Sequence, residues 1–187
     1  MGKIVVSEFV SLDGVMEDPR WVFQFGSPSS RSFKLDELSE SEALLVGRTT
    51  YEEWAAYWPQ QDPEENPFAA QMNGVQKYVV SKTLKEPLEW NNSILISENV
   101  VEEISNLKEQ PGQDILVGGS ADLVNTLMDH DLVDEYRLMV FPVVVGSGKR
   151  LFRDGRDTKA LKHIGTQTFG SGVVVLSYGP AEDRAEE

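Results

Sequence analysis

The sequence predicts an α/β protein: a three-layer α/β/α sandwich around a mixed, mostly parallel sheet, closed by a C-terminal antiparallel hairpin. Three observations predict it. Strand-like and helix-like segments alternate through most of the chain, the pattern of parallel strands with helices on both faces. Two apolar runs end in glycine turns that open helices, at Val46-Gly47-Arg48-Thr49-Thr50 and Val117-Gly118-Gly119-Ser120. Near the C-terminus, Leu161 to Phe169 and Val173 to Tyr178 flank Gly170-Ser171-Gly172, the pattern of a hairpin.

The elements follow in order. Lys3 to Val10 alternates and is rich in β-branched residues, so it reads as a first strand, broken by Ser11-Leu12-Asp13-Gly14. Asp18 to Ser30 carries two prolines and several large apolar side chains, which reads as a long loop of the lid type. Ser32 to Ser41 reads as a short helix, Ala43 to Val46 as a buried strand, and Thr50 to Tyr57 as a helix stopped by Pro59. Phe68 to Gly74 reads as a further helix, Lys77 to Thr83 and Asn92 to Ser97 as strands. Val100 to Lys108 has Val101, Ile104 and Leu107 at helical spacing and ends before Pro111-Gly112. Asp114 to Val117 is a strand, Leu123 to Met128 a helix, and Tyr136 to Val145 a long strand ended by Gly146-Ser147-Gly148.

Composition narrows the class. The 187 residues are 40% hydrophobic and 26% charged, ordinary for a globular chain. One domain is expected over residues 1–180, with residues 181–187 as an acidic, solvated tail. There is no cysteine, which removes disulfides and thiolate metal sites. His130 and His163 stand alone without spaced ligands, so no metal is expected. No apolar run approaches the ~20 residues of a membrane span, and the N-terminus enters a strand pattern directly, which fits a cytoplasmic protein. The net charge of −14 argues against nucleic acid or an anionic membrane as partner.

The glycine turns carry the candidate chemistry. Gly47 permits a sharp turn or a close ligand approach, Thr49 or Thr50 is placed to cap the next helix, and Arg48 adds a charged fork. Gly118 and Gly119 remove two Cβ atoms where a pyrophosphate could lie, and Ser120 is a natural N-cap ahead of Ala121. Both junctions read as anion sites at strand-to-helix turns. Ser81-Lys82-Thr83 offers hydroxyls and an ammonium suited to an extra ribose phosphate. Gly146-Ser147-Gly148-Lys149-Arg150 imitates a P-loop but lacks its first glycine, Val143 standing there, and its Ser or Thr after the lysine. Trp54, Tyr57 and Trp58 read as core or interface.

These motifs, in this order from Ile4 to Tyr178, resemble the dihydrofolate reductase-like superfamily. Within it they look like the branch of the riboflavin-biosynthesis reductase domain and small stand-alone reductases. The resemblance rests on Ser11-Leu12-Asp13-Gly14, Val46 to Tyr51, Val80 to Leu84, Val117 to Ser120, and Leu132 to Gly148. It implies hydride transfer from NADPH to a small molecule. It implies that Gly47, Arg48, Thr49, Thr50, Gly118, Gly119, Ser120 and Ala121 hold the pyrophosphate, and Ser81, Lys82 and Thr83 the 2′-phosphate. Asp13, Gly14 and Phe141 fall at the implied substrate mouth, with Asp13 either orienting substrate, relaying a proton, or making an Asx-type turn. The superfamily's pterin-binding acid has no counterpart near Arg31 and Ser32, Asp36 being several positions late, so dihydrofolate is disfavoured. The implied activity is a reductase, with 5-amino-6-(5-phosphoribosylamino)uracil as the named substrate of the branch. The alternative is a nucleotide-binding regulatory or scaffold protein without turnover. A homodimer is expected, because edge strands and the apolar stretch Leu138 to Val145 need cover.

Overall fold

Strand β1 (Ile4–Ser11) is the axis of the molecule. Its sequence is not alternating but apolar on both faces, as a strand covered from both sides requires. Ile4, Val6 and Val10 pack into one hydrophobic layer, and Val5 into the other. The structure is a computed structural model and describes residues 2–112, 114–155 and 157–181. The expected acidic tail, apart from Ala181, lies outside the described residues.

Helix α1 (Pro28–Ser39) begins four residues earlier than its apolar pattern predicts. Ser27 caps it by accepting the Ser30 N–H, Ser30 bonds back to the Ser27 N–H, and Pro28 occupies the first helical position, where it lacks only a donor that would be unpaired anyway. Strand β2 (Ser41–Gly47) leads into α2 (Arg48–Tyr57), and α3 (Pro67–Gly74), capped by Asn66, into β3 (Gln76–Val80). Strand β4 (Ser93–Ile96), α4 (Val100–Glu109), β5 (Asp114–Val117) and α5 (Ala121–Asp129) follow. The chain closes with β6 (Glu135–Phe141), β7 (Leu161–Thr168) and β8 (Val174–Pro180).

The eight strands form one sheet in the order β4-β3-β2-β5-β1-β6-β8-β7. Six are parallel; β8 runs antiparallel to β6, and β7 antiparallel to β8. Leu38 of α1, Tyr51 of α2 and Met72 of α3 pack on one face. Ile104 of α4 and Leu123, Val124 and Leu127 of α5 pack on the other. The fold is therefore the expected three-layer sandwich with a mixed sheet and a C-terminal hairpin.

Two expectations need correction. Strand β6 ends at Phe141 rather than Val145, because Pro142 has no N–H to offer a ladder. The stretch from Leu138 is also not an exposed apolar edge. Leu138, Met139 and Phe141 are buried, and β6 lies between β1 and β8, so the chain covers the strand part itself, while Val144 beyond it is exposed. The strand edges are β4 and β7, and β7 exposes Ile164.

Candidate functional site

The sheet order creates the site. Strands β2 and β5 are neighbours, yet β2 leads into α2 on one face and β5 into α5 on the other. Helices that depart in opposite directions open a crevice at the strands' carboxyl ends, where ligands bind in open α/β sheets. Both glycine junctions meet there. The Gly47 N–H donates to the Gly119 carbonyl at 2.9 Å, and the Gly118 N–H to the Leu45 carbonyl at 3.3 Å.

The contact is too close for side chains. A Cβ on Gly47 would stand 2.5 Å from the Ser120 hydroxyl oxygen, and one on Gly118 2.5 Å from the Trp54 ring. Gly119 adopts φ +106°, and a Cβ there would lie 2.8 Å from Thr50 Oγ1. The Gly119–Ser120 peptide is cis. Glycine is required here by close approach at Gly47 and Gly118, and by backbone conformation at Gly119.

The helix starts differ from the sequence reading. Gly47, not Thr49 or Thr50, is the N-cap of α2, and it supplies no capping side chain. Ser120 is the N-cap of α5, but its hydroxyl makes no cap bond. The N-termini of α2 and α5 thus have N–H groups untouched by side-chain caps, as does α4 elsewhere, whereas α1 and α3 carry such caps. Unpaired N–H groups with the positive dipole end favour an anion. Arg48 lies at the mouth, half-exposed and paired with Glu52 at 2.9 Å.

The third polar strand end sits one strand further out. Gly47 of β2 is in register with Val80 of β3, so Ser81, Lys82 and Thr83 follow beside Arg48. The Ser81 hydroxyl is engaged by the N–H groups of Thr83 and Leu84, at 3.2 and 3.0 Å. Ser81 therefore shapes the turn, and Lys82 and Thr83 are exposed beyond it. Lys82 lines a cavity of about 460 Å³ with Glu98, Asn99 and Glu102.

On the opposite side the crevice continues into a cleft of about 870 Å³, walled by Glu17, Asp18, Arg20 and Trp21, by Thr49 and Glu53 of α2, and by Val145, Ser147 and Gly148. Arg20 is engaged by Asp18. Beneath Trp21 lies an aromatic layer. Phe141 meets Phe9 and Trp21 edge-on at 5.5 Å, and Phe25 at 6.1 Å. The Trp21 indole nitrogen is buried there without a partner.

Asp13 is a clamp. One of its oxygens accepts from the Ser11 hydroxyl at 2.5 Å and the Val145 N–H at 3.1 Å; the other accepts from the Gly146 N–H at 2.8 Å. These bonds hold its carboxyl down at about 2, so at neutral pH it has no proton to give. Gly14 follows with φ +83°, the turn that brings Val15 into a bridge with Arg150. Lys149 reaches Asp122 at 3.1 Å. Asp36 is not the buried acid of α1. That acid is Glu37, bonded to Ser7, Lys34 and Arg137.

The sequence profile of the RibD C-terminal domain matches residues 2–175. The chain belongs to that family. Two relatives from Bacillus subtilis (strain 168) cover nearly the same length. The uncharacterized protein YyaP is 36% identical over 178 residues, 94% of this chain and 94% of the relative. The uncharacterized protein YwjB is 30% identical, over 91% and 94%. Among solved structures, a protein assigned to riboflavin biosynthesis from Shewanella sp. PV-4 superposes with TM-score 0.76 at 21% identity, covering 97% of this chain and all of that one. A pyrimidine reductase-like protein from Corynebacterium diphtheriae NCTC gives 0.71 at 13% identity, covering 97% and 93%. These two likenesses show a shared fold.

One residue escaped the sequence reading. Glu8 interrupts the apolar run of β1, and its Oε1 is buried with no partner. Burial pushes its carboxyl up to about 8, against the opposing pull of Lys34. Its signal was legible, since an acid inside a strand buried on both faces is unusual. Among the described residues no cluster of three or more His, Asp or Glu groups is placed to hold a metal ion. No described helix is long and apolar enough to cross a membrane.

Proposed function

We propose that this protein is a reductase that uses NADPH to deliver a hydride to a small heterocyclic or carbonyl compound, in the manner of the riboflavin-biosynthesis reductases. The observation that carries this reading is the abutment of the Gly47 and Gly118–Gly119 turns between two uncapped helix N-termini. The residues fit a dinucleotide. The glycines let the two turns close on each other, and the uncapped helix ends beside them favour the charge of a pyrophosphate. Arg48 and Lys82, at the ends of adjacent strands, suit a 2′-phosphate. Glu98 and Glu102 in the same cavity oppose it, which makes the two cations decisive.

Reduced nicotinamide, when bound, supplies the hydride. The protein's part is placement. Trp21, packed edge-on against Phe141, gives the cleft an apolar wall against which a planar ring packs. The loop clamped by Asp13 forms the wall of the cleft at Val145. Asp13 orients this loop, and the proton for the reduced product comes from elsewhere. Dihydrofolate fits poorly, because Glu37 is already tied to Lys34 and Arg137.

The locked Asp13 also favours a second reading, a nucleotide-binding protein without turnover. Substrate-dependent loss of NADPH absorbance at 340 nm across a panel of heterocycles and carbonyl compounds separates the two. Turnover supports the reductase. Tight NADPH binding without turnover supports the second reading, and absence of binding at millimolar NADPH or NADH removes both.

A further inference from the structure

Strand β1 runs further than its neighbour β5. The last β1–β5 pair is Val6 with Val117, while β1 continues beside β6 to Ser11. Glu8 is two residues past that last pair, on the same face of β1 as Val6 and Val10. Its side chain therefore stands where β5 has turned away at Gly118–Gly119. A Cβ on Gly119 would lie 3.8 Å from Glu8 Oε1 and 2.8 Å from Thr50 Oγ1. The acid and the start of α2 thus flank the same glycine from two sides of the crevice.

The position is costly without a use. Glu8 is 6% exposed and its Oε1 has no hydrogen-bond partner. A buried acceptor left unpaired is destabilising, and an aliphatic residue would pack here as Val6 and Val10 do. The other buried acid of this region, Glu37, has three partners. Of these two acids, Glu8 is the one with an oxygen left unpaired.

We infer that Glu8 is a positioning residue for the carboxamide of a nicotinamide ring, whose N–H donates to its unpaired oxygen. The assignment rests on the NADPH reading above and adds the orientation of the cofactor's reactive end. The sheet order gives the direction. The cations Lys82 and Arg48 follow β3 and β2, the bare turns lie over β2 and β5, and the next strand is β1. A dinucleotide with its phosphates over β3, β2 and β5 brings its nicotinamide end to β1. A phosphate diester offers acceptors only and would leave the unpaired Glu8 oxygen without a donor. A primary carboxamide matches it, because a neutral carboxyl offers one acceptor and one donor and the amide offers the reverse pair. The burial that raises the Glu8 carboxyl to about 8 keeps it in that neutral form.

The test compares the full-length protein with E8Q and E8L by calorimetric titration of NADPH and of its 3-acetylpyridine analogue, in which a methyl replaces the amide nitrogen. The wild type and E8Q should bind NADPH within about threefold of each other and prefer it to the analogue. E8L should bind NADPH about tenfold more weakly, the worth of roughly one buried hydrogen bond, and lose the preference between the two. Circular dichroism confirms that E8L is folded, and E8Q supplies the isosteric control. A merely structural role would not move the preference. If E8L keeps both wild-type affinity and preference, the assignment is overturned while the reductase reading stands. If the wild type binds neither compound, both fall together.

Discussion

Gly47 and Ser120 are 73 positions apart in sequence, yet a Cβ on the glycine would press within 2.5 Å of the serine hydroxyl and 3.2 Å of its backbone nitrogen. The rotatable hydroxyl can move aside; the backbone cannot. Gly47→Ala should therefore spread the two turns and cost about 1–3 kcal/mol, as overpacking does. Gly74, with nothing within 4 Å of its Cβ position, is the control: Gly74→Ala at the end of α3 should be neutral or stabilising by up to ~1 kcal/mol. Urea unfolding of both variants checks this, and equal midpoints would refute it.

The unpaired acid at Glu8 has a stability signature of its own. Its folded-state carboxyl is raised from 4.5 to about 8, so between those values the folded protein holds a proton the unfolded chain has released. Stability from this group is whole below pH 4.5, declines by up to about 1.4 kcal/mol per pH unit as pH rises, and is lost above pH 8. Glu8→Gln should remove that slope, leaving a protein whose stability changes less between pH 5 and 8. Parallel pH profiles for the two proteins would show the carboxyl to be unshifted. Glu8→Leu should raise the melting temperature, the trade expected where function retains a destabilising group.

Asp13 is expected to act through the backbone it holds rather than through titration. Its carboxyl lies near 2, so Asp13→Asn should leave any activity profile between pH 5 and 8 unchanged in shape. The same change weakens the clamp on Val145 and Gly146, and faster amide exchange at those two positions should report it. A lost acid or basic limb would instead make Asp13 a proton carrier.

Lys82→Ala should weaken NADPH about fivefold to tenfold and leave NADH within about twofold, since one exposed cation contributes a charge-assisted contact diminished by solvent. Competition binding with the two coenzymes measures the ratio. A ratio unchanged by the substitution would move the 2′-phosphate away from this strand end.

Much of the architecture was legible in the sequence because its signals are local. Pro59 and Pro111-Gly112 punctuate helices, and Gly170-Ser171-Gly172 marks the hairpin. Helix α1 was misplaced because Ser27-Pro28 reads as loop until its capping bonds are seen. Strand β6 was overextended because Val143 to Val145 look like strand residues although Pro142 ends the ladder. At the site, Gly47 and Gly118–Gly119 stood out as glycine turns, but their contact depends on β5 inserting between β1 and β2. Glu8 shows in the sequence as an acid inside an apolar run, but only the register of β1 past β5 places it beside the crevice; the edge-on packing of Trp21 on Phe141 likewise fixes the apolar loop there.

The strand order is also a ruler. From β3 through β2 and β5 to β1 there are three steps, each about 4.8 Å, so the outer landmarks stand roughly 14 Å apart. A molecule gripped at both must reach across that gap in one piece.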